Sequence, residues 1–210
     1  MKRLVIVGAG GFGREMFAAA RESFGFGRDF DSFAFLDARA DALDGFEGYP
    51  AIIGSPDAYV PAPDDVFVTA LGDVESRRRC VRALQTRGAV FVAVVHRTAT
   101  LGPNVSVGAG SFIAPRVTLT ADVRVGRHAD VFHNTSVGHD AVIRDFAHVY
   151  AQCAVGGCVV VGEGARVYPG AVVVPRRRIG DRAVVGAGSV VFLDVPPGVT
   201  VHGNPASPVE

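Results

Sequence analysis

The sequence predicts a mixed chain: a parallel-sheet α/β domain over residues 1–94, then an all-β, three-sided solenoid of six-residue repeats over residues 95–210. Three observations predict it. Short apolar runs alternate with helical segments in the first half. A glycine-rich turn follows the first of those runs. In the second half, an aliphatic residue returns at every sixth position.

In the first half, Leu4-Val5-Ile6-Val7 ends in Gly8 and suits a buried parallel strand. Arg14 to Arg21 carries Met16, Phe17 and Ala20 at helical spacing. Ser32 to Asp37 is the second strand, and Val66 to Leu71, closed by Gly72, the third. Glu75 to Arg87 is a helix with Val81 and Leu84 inward; its five arginines read as a solvated face. Val90 to Val95 is the fourth strand. Strands alternating with helices give a parallel, doubly wound sheet.

The second half follows another rule. From Leu101 to Val191 every sixth residue is Leu, Ile or Val, sixteen positions without a gap. Four residues after each stands a small or β-branched residue, and Arg177 alone breaks that rule. A helix cannot hold a six-residue period on one face, but a coil with three flat sides can. The aliphatic residue points inward, and the glycine that often follows it (Gly102, Gly138, Gly156) is expected to help the corner turn. Sixteen units make about five coils, stacked roughly 4.8 Å apart by parallel pairing. Residues 18 apart then lie above one another: Val142 with Val160, Val172 with Val190. Outward valines in columns predict self-association through the prism faces.

Composition narrows the function. Lys+Arg is 21 and Asp+Glu is 21, so there is no basic excess for nucleic acid. No apolar run reaches the roughly 18 residues of a membrane span, and the first residues are too short for a signal peptide. Cys80, Cys153 and Cys158 lack metal-type spacing and read as reduced thiols of a cytoplasmic protein, with Cys153 in the core.

Two constellations carry chemistry. Gly8-Ala9-Gly10-Gly11-Phe12-Gly13 follows a strand and opens a helix, the context of a turn that cradles phosphate. Asp37 ends the next strand, where a carboxylate accepts from ribose hydroxyls. The competing reading is a turn needed only for helix–sheet packing. On the solenoid, His128, His133, His139 and His148 all fall outside the inward positions, so they are expected to be exposed or at an interface. His139-Asp140 sits at a corner, and an exposed imidazole beside a carboxylate is a candidate general base. Asp130 and Arg166 lie one coil either side of His148, placed to set its tautomer or charge.

The unbroken repeat resembles that of the hexapeptide acyltransferases. The glycine turn in front, Val137-Gly138-His139-Asp140, and His148 nine residues after His139 resemble the PglD/NeuD-like branch: nucleotide-sugar N-acetyltransferases, with sialic-acid O-acetyltransferases as close relatives. The tail, Asp194 to Gly198 and Gly203-Asn204-Pro205-Ala206, is also similar. The resemblance covers nearly the whole chain. It implies a Rossmann-like first domain that binds a nucleotide-sugar and a left-handed β-helix that assembles as a homotrimer with sites between subunits. It implies acetyl-CoA as co-substrate and transfer to the amino group of a nucleotide-linked amino-dideoxy sugar for bacterial surface glycan.

The matching residues take their roles from the same resemblance. His139 is the general base, and Asp140 raises its basicity. His148 meets acetyl-CoA near the thioester, and Pro169 and Ala187 meet its pantetheine arm. Gly10, Gly11, Phe12, Asp37 and Gly72 hold the nucleotide-sugar. No residue is assigned to a metal. Three positions depart from the pattern: Phe12 where many relatives carry His, Phe132 where some carry Asn, and Ser207 where Lys or Arg usually follows the alanine. Arg176, Arg177 and Arg178 are candidates for the missing charge. The competing activities are sugar O-acetylation, a zinc hydrolyase of the β-helical carbonic anhydrase kind using His128 and His133, and a non-catalytic nucleotide-sugar binder.

Overall fold

Leu4, Val5, Ile6 and Val7 are inaccessible to solvent because the strand they form has neighbours on both sides. The structure is a computed structural model that describes residues 2–22 and 30–209. It contains two units, Met1–Val94 and Val95–Glu210.

The first unit holds β1 (Arg3–Val7), α1 (Gly11–Glu22), β2 (Ser32–Leu36), β3 (Asp65–Thr69), α2 (Val74–Gln85) and β4 (Val90–Phe91). The strands form one parallel sheet in the order β2-β1-β3-β4. α1 turns Met16, Phe17, Ala19 and Ala20 inward, and the Phe17 ring meets Phe33 edge-on at 5.3 Å. Asp73 caps α2 by accepting the Ser76 N–H at 2.8 Å. Asp65 is buried at the start of β3. It accepts from Arg3 Nε (2.7 Å), Tyr59 Oη (2.7 Å) and the Ala62 N–H (2.8 Å). Burial pushes the Asp65 carboxyl up, but these donors outweigh it and hold it below the usual carboxylate range. Burial, and then the bond to Asp65, push Tyr59 up to about 12.

Two expectations need correction here. Arg77 does not belong to a solvated face: it is fully buried on the inward side of α2 with Val81 and Leu84. The fourth strand does not run from Val90 to Val95. Only Val90–Phe91 pairs with β3, and Val95 already belongs to the second unit.

The second unit is a parallel prism of two-residue rungs, from Thr100–Leu101 to Val190–Val191 at six-residue steps. Rungs 18 residues apart pair in register, as in Val142↔Val160, Val172↔Val190 and Asp130↔His148. The aliphatic row is buried from Ile113 to Val191, while Leu101 and Val107 in the first coil are only half-buried. Burying each such side chain contributes about 1.5–3 kcal/mol. The second inward row is buried as well, apart from the half-exposed Val105 and Arg177. Its hydroxyls are satisfied internally: Ser111 donates to the Gly126 carbonyl (2.7 Å) and Thr135 to that of Tyr150 (2.7 Å). The hairpin Thr200–Gly203 and Ala206–Pro208 extends one face at its end.

The corners are built differently from the expectation. The left-handed backbone falls three residues after each aliphatic position from Leu101 to Val185, at Asn104, Arg116, Asp122, His128, Asn134, Asp140 and onward. The glycines directly after the aliphatic residue serve close approach instead. A Cβ on Gly138 would lie 2.5 Å from the Gly157 nitrogen in the next coil. Among the described residues, no helix is long and apolar enough to cross a membrane.

Candidate functional site

His139 and Asp140 occupy one corner of the prism, between the rungs Ser136–Val137 and Val142–Ile143. Both are exposed, with side-chain exposures of 66% and 59%, and His139 Nδ1 lies 2.8 Å from Asp140 Oδ2. Their backbone is pinned by the coils on either side. The Asp140 N–H donates to Ala121 (3.0 Å), and the His139 carbonyl accepts from Cys158 (2.8 Å). Asp140 takes φ 57°, a left-handed turn that a short carboxylate side chain tolerates. The imidazole lies over Gly157, where an added Cβ would stand 2.7 Å from Nε2. Donation of Nδ1–H to the carboxylate leaves the lone pair on Nε2 of an exposed side chain, which is the arrangement of a general base.

His148 is placed otherwise than expected. It is 1% exposed, and its Nε2 lies 3.1 Å from Asp130 Oδ2, itself 0% exposed. Facing away from the prism interior is therefore not the same as facing solvent. The rings of Phe132 and Tyr150 lie beside His148 at 5.9 and 5.6 Å. Arg166 follows His148 in the adjoining coil, so the expected column Asp130–His148–Arg166 forms. His128 is likewise buried, stacked on Phe146 at 5.0 Å and lying against the bare Cα of Gly110. His133 is half-buried.

Pro169 and Ala187 are exposed and stack one coil apart, joined by the bond from the Gly188 N–H to the Pro169 carbonyl (2.9 Å). Their corner joins the face of His148 to the face of Ser136 and Val172. It is a different edge from that of His139. Beside it runs an aromatic ladder, Phe132–Tyr150–Tyr168, with ring spacings of 5.3 and 4.9 Å. Phe132 is the first step of that ladder.

The glycine turn of the first unit divides its residues by role. Gly8 has φ +106°, and a Cβ there would meet the Ala70 carbonyl at 2.8 Å; a Cβ on Gly13 would strike the Gly8 carbonyl. Gly10, Gly11 and Gly72 have no atom within 4 Å of such a Cβ. Those three leave open space beside bare backbone. Asp37 Oδ2 accepts the Ala9 N–H (2.9 Å) and Oδ1 the Arg39 N–H (3.0 Å), so the carboxylate braces the turn. Phe12 is half-buried at the start of α1.

One residue near His139 escapes a residue-by-residue reading. A His139 nitrogen, an Asp140 carboxylate oxygen and Cys158 Sγ all lie within 4.8 Å of one another. The signal was present in the repeat, since Cys158 follows Asp140 by 18 residues. Among the described residues this is the one group of three that offers metal ligands, and it contains neither His128 nor His133. Cys153, by contrast, is core: burial pushes its thiol up to about 11.

Comparison with known proteins gives a consistent result. The PglD N-terminal domain family matches residues 3–84, and the bacterial transferase hexapeptide (six repeats) family matches residues 158–192. The structure of WeeI from Acinetobacter baumannii AYE is 30% identical, with a TM-score of 0.87 and full coverage of both chains. The acetyltransferase domain of PglB from Neisseria gonorrhoeae FA1090, in complex with acetyl coenzyme A, is 26% identical over 99% of both chains (TM-score 0.89). A histidine-to-asparagine variant of perosamine N-acetyltransferase from Caulobacter crescentus, in complex with CoA and GDP-perosamine, is 28% identical over 100% of this chain and 98% of that one (TM-score 0.88). No curated protein sequence matches significantly.

Proposed function

This chain belongs to the PglD/NeuD-like family of hexapeptide-repeat, left-handed β-helix sugar acetyltransferases, and from that premise we propose that it transfers an acetyl group from acetyl-CoA to the amino group of a nucleotide-linked amino-dideoxy sugar. The observation that carries the reading is the exposed His139–Asp140 pair, with Nδ1 held 2.8 Å from the carboxylate.

The step is a direct transfer. The sugar amine attacks the thioester carbonyl, and His139 Nε2 takes the proton that the nitrogen loses. The tetrahedral intermediate collapses with departure of the CoA thiolate, which is then protonated. Asp140 holds the imidazole tautomer and offsets the charge that develops on the ring. The exposed edge of Pro169 and Ala187 serves the acetyl-CoA side, and His148, buried with Asp130 at its Nε2, serves it through the residues packed around it. Gly10, Gly11, Phe12, Asp37 and Gly72 serve the nucleotide-sugar, with Asp37 acting through the turn it braces.

The acetyl-CoA edge and the His139 edge are separated by a face of the prism. A site that uses both therefore draws on two copies of the chain, and the homotrimer we propose supplies them. The partly exposed valine columns Val142–Val160 and Val172–Val190 support such contacts.

The test is His139→Ala, assayed for thiol release with acetyl-CoA across a panel of nucleotide-linked amino sugars. The expected loss in kcat is about 10²–10⁴-fold, with assembly and substrate binding intact. Near-normal turnover by the variant removes His139 as the base.

A further inference from the structure

We propose that His139, Asp140 and Cys158 form a binding site for a soft divalent cation of the zinc class, and that such an ion reversibly silences the base. The cation site stands on geometry alone; the silencing rests on the acetyltransfer reading given above.

The donor set is the first argument. One imidazole nitrogen, one carboxylate oxygen and one thiolate suit a borderline-soft ion, and three protein ligands plus an open fourth position is the pattern of an accessible zinc centre. The three ligand atoms lie within 4.8 Å of one another. Tetrahedral ligands bonded to zinc stand roughly 3.5 Å apart, so the exposed side chains have about an ångström to close on binding.

The frame is the second argument. Asp140 and Cys158 hold the same turn position in successive coils, with φ 57° and 60°. Their Cα–Cβ bonds therefore project side by side. The bond from the Cys158 N–H to the His139 carbonyl (2.8 Å) locks the two corners together. Gly157 leaves the imidazole room between them.

Binding balances simply. The ion displaces the thiol proton to solvent and accepts electron pairs from sulfur, nitrogen and oxygen; nothing is oxidised or reduced. An imidazole whose lone pair is on a metal no longer accepts a proton from an amine. Arg176, exposed one coil beyond Cys158 in the same column, adds positive charge nearby.

The experiment uses tag-free, metal-stripped full-length protein titrated with cobalt(II), whose thiolate complex shows charge-transfer absorption in the near ultraviolet. The band is expected in the native protein, to be displaced by zinc, and to vanish in Cys158→Ser, which retains the buried Cys80 and Cys153. Asp140→Asn is expected to weaken zinc binding, by at least the roughly 10–100-fold that losing an outer-shell partner costs. Thermal melts confirm that both variants are folded. Absence of the band in the native protein, or its persistence in Cys158→Ser, overturns the site. If the cation binds through Cys158 and acetyl transfer proceeds undiminished, the site stands and the assignment of His139 as base falls.

Discussion

Gly157 decides where the His139 imidazole can lie, because any Cβ there would press on Nε2 from 2.7 Å. Gly157→Ala is therefore expected to displace the ring and lower kcat by about 10-fold or more, within the range that misplacement of a catalytic group costs. The melting temperature should hardly move, since the obstructing atom is the free end of an exposed side chain. Equal turnover in variant and parent would show that the ring's resting position is immaterial. The Asp65 network makes a prediction of a different kind. Its carboxyl is held below the ordinary value of 3.8. Its contribution to stability is thus complete above the unfolded-state value and is lost as pH falls through the lower folded value. Asp65→Asn should melt at a lower temperature than the parent at neutral pH, and the gap should close on acidification below about 4. A gap that persists in acid would assign the effect to shape and not charge. Cys158 was legible in principle: the 18-residue rule that stacks Val142 under Val160 also stacks Asp140 under Cys158. Burial of His148 was not legible, because register gives the direction of a side chain and not what lies beside it.

At the scale of elements, the turn from β1 to α1 separates structural glycines from open ones. Gly13→Ala drives a Cβ into the Gly8 carbonyl and should cost about 1–3 kcal/mol, the usual range for overpacking. Gly11→Ala meets nothing within 4 Å and begins a helix. It should leave stability equal or slightly raised, while weakening nucleotide-sugar affinity in a binding titration. Unchanged affinity would remove Gly11 from the sugar site. The solenoid rungs were readable because one residue type recurs at one spacing. The corners were misread because glycine has two uses. After the aliphatic residue it yields space to the next coil, and the left-handed turn falls two residues later, where Asp140 and Cys158 stand.

At the scale of the whole molecule, the prism puts the candidate acid–base pair and the candidate acetyl-CoA edge on different corners of one chain. The expected outcome is a trimer at micromolar concentration by multi-angle light scattering. Charged substitutions at Val172 and Val190 should dissociate it and abolish activity together. A fully active monomer would overturn a shared site. The aromatic ladder Phe132–Tyr150–Tyr168 is also a product of stacking. The three rings stand 18 residues apart, so the rule that stacks Val142 with Val160 puts them in one column, and the coils bring them to 5.3 and 4.9 Å.

By itself the sequence determined the three-sided solenoid, the parallel sheet before it and the exposed histidine–aspartate corner. All three follow from local periodicity and from neighbours in the chain, which a linear reading contains. Only the tertiary structure decided that His148 and Asp130 are buried together and that Arg77 is internal. Burial and proximity depend on which surfaces meet once the coils stack, and residues 18 apart share a wall only after the chain has closed its turn.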